Sequence, residues 1–308
     1  MSTSKSLTQL IPSTSISQKL SSKELHAKAD SLLKQKWKCC SMTKITDSQL
    51  KEAFDHYILA SEKYQNESNY IQAIGCYKKA LPITRKLKER GLEANINFQL
   101  AIILVNNLNE CDEGFIYLQN FRLAYLNIGI NIDIDIKEYI GRLMVMIEKL
   151  KECSNTNLNN LQLCNKYIEE CYNFILNDAI LNNFKLFTNK DQEQIPTIFL
   201  EIQKYYISKE KYSHLLPKVD QISQKYKTNA TSEIYKKESV ILDGLVILLN
   251  FIINSNNKNN TTETQNIALN VTETKNEALF TNIRNLIHYI LNNKKVEFLV
   301  SVTFKAIF

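Results

Sequence analysis

Apolar positions in the first third of the chain recur at helical spacing. Leu50, Ala53, Phe54, Tyr57, Ala60, Ser61 and Tyr64 form one stripe, and Tyr70, Ala73, Ile74, Tyr77, Ala80, Leu81, Thr84 and Leu87 form a second. Both follow the i, i+3, i+4, i+7 rule of an amphipathic helix. Between them lies only Asn66-Glu67-Ser68-Asn69, which predicts a tight turn and an antiparallel helical pair. Ala60, Ala73 and Ala80 recur 41 positions later as Ala101, Gly114 and Phe121. Small residues at the first two positions suit a point where helix axes approach closely, and Phe121 breaks the small-residue rule. The second pass runs through Leu92, Ile96, Leu100, Ile103 and Leu108, turns near Asn109 to Asp112, and continues with Phe115, Leu118, Phe121, Leu123 and Tyr125.

Hairpins at this period belong to the longer relatives of the tetratricopeptide class, whose standard repeat is about 34 residues. The predicted fold is therefore all-α, a right-handed α-solenoid of tetratricopeptide-like antiparallel helical hairpins, an α-α superhelix. Further helices are predicted over Lys23–Lys36, Ile136–Lys151, Leu158–Leu176, Gln192–Ile207, Lys211–Lys227 and Ser232–Asn254. Trp37 to Thr46 reads as a loop, with Thr46 or Asp47 capping the next helix. Pro82 and Pro217 are expected to kink or restart their helices, whereas Pro196 falls in a first turn where a missing N–H costs little. The domain layout is a disordered leader at 1–22, a solenoid at 23–254, an Asn/Thr-rich loop or disordered insertion at 255–277, and a C-terminal helical segment and tail at 278–308.

Composition narrows the class. With 44% apolar residues among 308 the chain can bury a large core, and only 6 Gly and 4 Pro argue against a β-sandwich or a phosphate-cradling α/β enzyme. The net charge of +6 is spread along the chain, which reads as solvated helix faces rather than a nucleic-acid patch. Seven cysteines show no C-x-x-C pair, so the spacing speaks for reduced, packed thiols in a cytosolic protein and against zinc. No secretory h-region is evident near the start, and the apolar stretch Ser239–Asn254 carries Asp243 and falls short of the roughly 20 residues a spanning helix needs.

Candidate chemistry is sparse. His26, His56, His214 and His288 stand alone, phosphate-binding and nucleophile-elbow motifs are missing, and Asp133 with Asp135 reads as N-terminal capping of the next helix rather than as a metal pair. No catalytic residue, cofactor or metal is expected, and an enzyme is the least favoured class. One surface segment is distinctive. Trp37, the sole tryptophan, lies between Lys36 and Lys38 with Met42 and Lys44 nearby, a combination that suits a peripheral membrane contact or, alternatively, packing of Trp37 against the core.

Several segments together resemble the soluble NSF attachment protein family, the gamma type most closely. They are His26-Ala27-Lys28-Ala29-Asp30 running to Trp37-Lys38, Ala53-Phe54-Asp55-His56-Tyr57, the Ala73 to Ala80 hairpin, Ala124 to Gly129, Phe199 to Tyr226 and Tyr235 to Leu249. The similarity spans Lys23 to Asn254 and rests on diffuse likeness. It implies a non-enzymatic cytoplasmic adaptor that binds SNARE complexes and recruits the hexameric ATPase NSF for their disassembly in vesicle fusion and intracellular transport. It also implies peripheral association with vesicle, Golgi or ER membranes through Trp37, Lys38, Met42 and Lys44. Lys63, Arg122, Arg142 and Lys204 are the cations expected to meet an acidic SNARE bundle. The family ends in an acidic, leucine-containing region, whereas Glu297 is the sole acid from Val296 to Phe308. A generic tetratricopeptide-like scaffold binding peptide segments is the alternative.

Overall fold

The computed structural model describes residues 20–34, 37–38, 41–42, 45–127, 136–156, 160–181, 195–228 and 233–256. Among these the protein is all-α apart from one pair of two-residue strands. The helices are α1 (Ser22–Leu32), α2 (Asp47–Asn66), α3 (Tyr70–Leu87), α4 (Arg90–Asn107), α5 (Cys111–Asn127), α6 (Ile136–Thr156), α7 (Leu161–Phe174), α8 (Ile195–Ser208), α9 (Tyr212–Thr228) and α10 (Glu233–Asn256). A π-helical segment, Ile175–Leu181, continues α7. The expected leader up to residue 19, Lys44, Asp133, Asp135 and everything from 257 onward lie outside the described residues.

The chain divides into two compact units, Met1–Cys171 and Tyr172–Phe308. In the first, α1 packs on α2, α2 on α3, α3 on α4 and α4 on α5, with α6 also against α4. This chain-order packing is that of a helical solenoid. Connections of three, two and three residues join α2 to α3, α3 to α4 and α4 to α5, so each pair must fold back antiparallel.

Local chemistry sets the ends of these helices. Thr46 caps α2 in a capping box, its Oγ1 accepting from the Gln49 N–H at 3.3 Å while its own N–H donates to Gln49 Oε1 at 2.9 Å. Ser21 and Glu24 build the same box at α1, and the Ser21 hydrogen bonds hold the Glu24 carboxyl below its ordinary range. At the turns, Ser68, Lys88, Asn109 and Glu210 take left-handed backbone at φ 57°, 59°, 57° and 54°. The Asn69, Glu89 and Lys211 N–H groups then reach back to the carbonyls of Tyr64, Thr84 and Tyr206, closing three of the four helix ends in the Schellman pattern. Glycine usually fills such positions, so this glycine-poor chain accepts strain at its turns.

Ala60, Ala73, Ala80 and Ala101 are all fully buried, as the 41-residue pattern predicts. At Gly114 the approach is closer still. A Cβ there would lie 2.6 Å from Val105 Cγ2 and 3.2 Å from the Ala101 carbonyl oxygen, so α4 and α5 meet where no side chain fits. Phe121, the exception to the pattern, is fully buried, 5.3 Å from the Phe98 ring and 5.6 Å from the Tyr139 ring, and fills the space between α4, α5 and α6. Each buried aliphatic such as Ile58, Ile96 or Leu100 contributes about 1.5–3 kcal/mol.

In the second unit, α9 packs on α10, on α8 and on the π-helical segment. The acid that interrupts the apolar stretch of α10 has a packing partner, since Asp243 accepts from Ser223 Oγ at 2.6 Å and from Lys227 Nζ at 2.8 Å. Tyr206 donates to Asn173 Oδ1 at 3.2 Å, and Lys218 donates to the same oxygen at 2.7 Å.

Two local expectations are corrected. Helix α1 stops at Leu32 rather than Lys36, and the segment expected as a loop holds β1 (Trp37–Lys38) and β2 (Ser41–Met42), paired antiparallel. Helices α3 and α9 run on through Pro82 and Pro217, one absent hydrogen bond being outweighed by the buried faces on either side. Among the described residues no helix is long and apolar enough to cross a membrane.

Candidate functional site

The β1–β2 hairpin brings the expected membrane-contact residues into register, with Trp37 the Cα partner of Met42 and Lys38 that of Ser41. Sequence spacing alone placed Trp37 and Met42 five positions apart on a loop; the antiparallel ladder makes them direct cross-strand neighbours.

The four expected SNARE-contact cations have different surroundings. Lys63, on α2, donates its ammonium to the Leu20 carbonyl. Arg122 is half-buried on α5, one residue beyond the packed Phe121. Arg142, on α6, pairs with Glu138 one turn earlier, and its guanidinium lies 5.3 Å from the Phe98 ring centre and 5.8 Å from that of Phe121. It is only 15% exposed, so packing occupies most of it. Lys204 is exposed on α8 in the second unit.

Two polar networks lie outside the sequence reading, one joining residues up to 49 positions apart and one local to the α3–α4 turn. Asp30 on α1 accepts from Tyr57 Oη of α2 at 2.6 Å and from Lys79 Nζ of α3 at 2.7 Å, and Lys79 also lies 2.9 Å from His26 Nε2. Burial pushes the Asp30 carboxyl upward, but the Lys79 and Tyr57 hydrogen bonds outweigh it and hold it below its ordinary range. Burial and the nearby Lys79 lower the basicity of His26, favouring a neutral ring. Glu93, buried on α4, accepts from Arg85 Nε at 2.7 Å and Arg90 Nη1 at 2.8 Å, tying the α3–α4 turn. Both networks serve to lock helix against helix.

A third cluster has different chemistry. Cys111, Cys153 and Cys164, from α5, α6 and α7, are all buried, and their sulfurs lie within 4.8 Å of one another. Cys111 Sγ is 3.2 Å from Cys153 Sγ and 3.6 Å from Cys164 Sγ. The spacing argument against zinc fails here as a geometric guide: intervals of 42 and 11 residues carry no ligand signature, and the hairpin stack rather than a local loop brings the thiols together. Among the described residues it is the one group of three or more metal-competent side chains. Phe115 stacks on Tyr167 at 4.1 Å beside it, and Tyr167 donates to Asp112, so α5 and α7 are pinned around the sulfurs. Compared with known proteins, the chain matches no protein-family model and no curated protein.

Proposed function

We propose that this protein is a non-enzymatic adaptor of the soluble NSF attachment type, binding SNARE complexes through its helical surface and recruiting an NSF-type hexameric ATPase. The observation that carries the reading is the stack of antiparallel hairpins at a 41-residue period, with Ala60 and Ala101 buried at matching positions of successive hairpins. An extended helical surface suits a long coiled-coil partner through many weak, salt-sensitive contacts. The Trp37 and Met42 hairpin supports a peripheral contact with the membrane that carries the SNAREs. In this reading the protein is cytoplasmic and hydrolyses nothing itself.

The test is binding of the purified chain to an assembled SNARE bundle, followed by disassembly with an NSF-type ATPase. Binding should weaken as salt rises and weaken further in the Arg122→Glu/Lys204→Glu variant; failure to bind at low salt would sink the adaptor reading. Arg142→Glu is a poor probe, because its packing against Phe98 and Phe121 couples charge to folding. One observation favours a tetratricopeptide-like peptide scaffold instead: Ile116 and Leu123 on α5, one heptad apart, are 56% and 53% exposed. Peptide capture in the absence of SNARE binding would select that reading.

A further inference from the structure

We propose that Cys111, Cys153 and Cys164 form a three-thiolate binding site for a soft, thiophilic d10 metal ion of the zinc or monovalent copper class. The inference is independent of the adaptor reading.

Three features of the cluster support it. The first is geometric. Sulfurs bound to one ion at about 2.3 Å stand roughly 3.8–4.0 Å apart. The Cys111–Cys164 separation of 3.6 Å comes within a few tenths of an ångström of that spacing, the Cys111–Cys153 separation of 3.2 Å is shorter by more than half an ångström, and the third pair lies inside 4.8 Å. To receive the ion, the Cys111 and Cys153 sulfurs must part from 3.2 Å to that spacing.

The second is the donor set. Three sulfurs converge from three helices with no carboxylate or imidazole among them, a combination that selects soft ions over Mg2+ or Ca2+. Asn109, in the turn before α5, brings its Oδ1 to 3.7 Å from Cys153 Sγ. It is exposed, so it stands at the solvent side, where a fourth donor to zinc would enter.

The third is electrostatic. Cys111 opens α5 and Cys164 is the fourth residue of α7, so two of the thiols lie in the first turn of a helix. Side chains lean toward the helix N-terminus, where free N–H groups favour a thiolate. A thiol must lose its proton to bind such an ion, so binding releases protons to solvent.

The experiment uses the full reduced chain under anaerobic conditions, with Co2+ as a visible stand-in for Zn2+. A thiolate-to-cobalt charge-transfer band should saturate at one ion per chain and collapse on adding Zn2+ or Cu+. It should be abolished in Cys153→Ser and in Cys164→Ala, and unchanged in Cys76→Ser, a buried thiol outside the cluster. No band in the wild type, together with no Zn2+ or Cu+ retained against a competing chelator, overturns the proposal; so does a band that survives both cluster variants. Should the variants unfold, alkylation of the wild type decides. Zn2+ should slow modification at positions 111, 153 and 164 but not at 76, and equal rates with and without Zn2+ refute the site.

Discussion

Replacing Gly114 by alanine probes the close approach of α4 and α5 in the first unit. In an open helical position the change would stabilise the protein by up to ~1 kcal/mol, because alanine loses less backbone entropy on folding. At Gly114 the new Cβ would stand 2.6 Å from Val105 Cγ2 and 3.2 Å from the Ala101 carbonyl oxygen. Val105 is buried and can yield only against its own neighbours, and the carbonyl belongs to the α4 backbone. Overpacking of this kind costs about 1–3 kcal/mol. The net expectation is a loss of ~1–2 kcal/mol, or a fall in Tm of about 3–8 °C for a unit of this size. Gly75, on α3, is the control: no atom lies within 4 Å of a Cβ built there, so Gly75→Ala should raise stability by ~0.5–1 kcal/mol. Urea titrations of both variants, followed by far-UV circular dichroism, give the comparison. Adding Val105→Ala to Gly114→Ala should recover no more than part of the loss, since the carbonyl contact remains and a cavity opens. If Gly114→Ala proves as stabilising as Gly75→Ala, the close approach of α4 and α5 is wrong.

Three other outcomes follow from the same geometry. Burial and the neighbouring Glu52 raise the Asp55 carboxyl from 3.8 to about 6, so the folded protein holds that proton more tightly than the unfolded chain. Its contribution is full below about pH 4 and is lost as pH rises through about 6; Asp55→Asn should therefore flatten that window and stabilise the protein at pH 7 by ~1 kcal/mol after solvent screening, measured by urea midpoints across pH. Lys88→Gly relieves a lysine held at φ 59° and should raise stability by ~0.5–1 kcal/mol; a loss measured by thermal melting would contradict a left-handed α3 cap. Trp37 is the sole tryptophan, so its fluorescence on anionic liposomes reports the hairpin alone, and a blue shift lost in Met42→Glu is expected; an unshifted spectrum at low salt assigns the hairpin to packing.

Much of this architecture was legible along the chain because helix formation is a local matter. The stripe from Leu50 to Tyr64 and the polar Asn66 to Asn69 turn place α2 and α3 to within a few residues. The later helices begin within three residues of their expected starts, though α6 runs on to Thr156 rather than Lys151 and the π-helical Ile175–Leu181 was not foreseen. The strands at Trp37–Lys38 and Ser41–Met42 were read as a loop, because two residues leave no period to read. Ala60 with Ala73, and Ala101 with Gly114, mark close helix contacts in the sequence itself, since small residues at a fixed interval have few other uses in a solenoid.

What lay beyond the sequence is where side chains from different helices converge. A 3.6-residue period tells which face of a helix is apolar, but not how far that helix is rotated or shifted against its neighbour. Those offsets decide that Arg142 lies over Phe98 and Phe121 rather than in solvent, and that Asp30 meets Lys79 across 49 residues of chain. They also decide that Cys111, Cys153 and Cys164 share one buried pocket of sulfur. The sequence determined the helices, their turns and the class of fold; tertiary packing alone decided which reactive groups would meet, because that depends on distances set between elements and not within them.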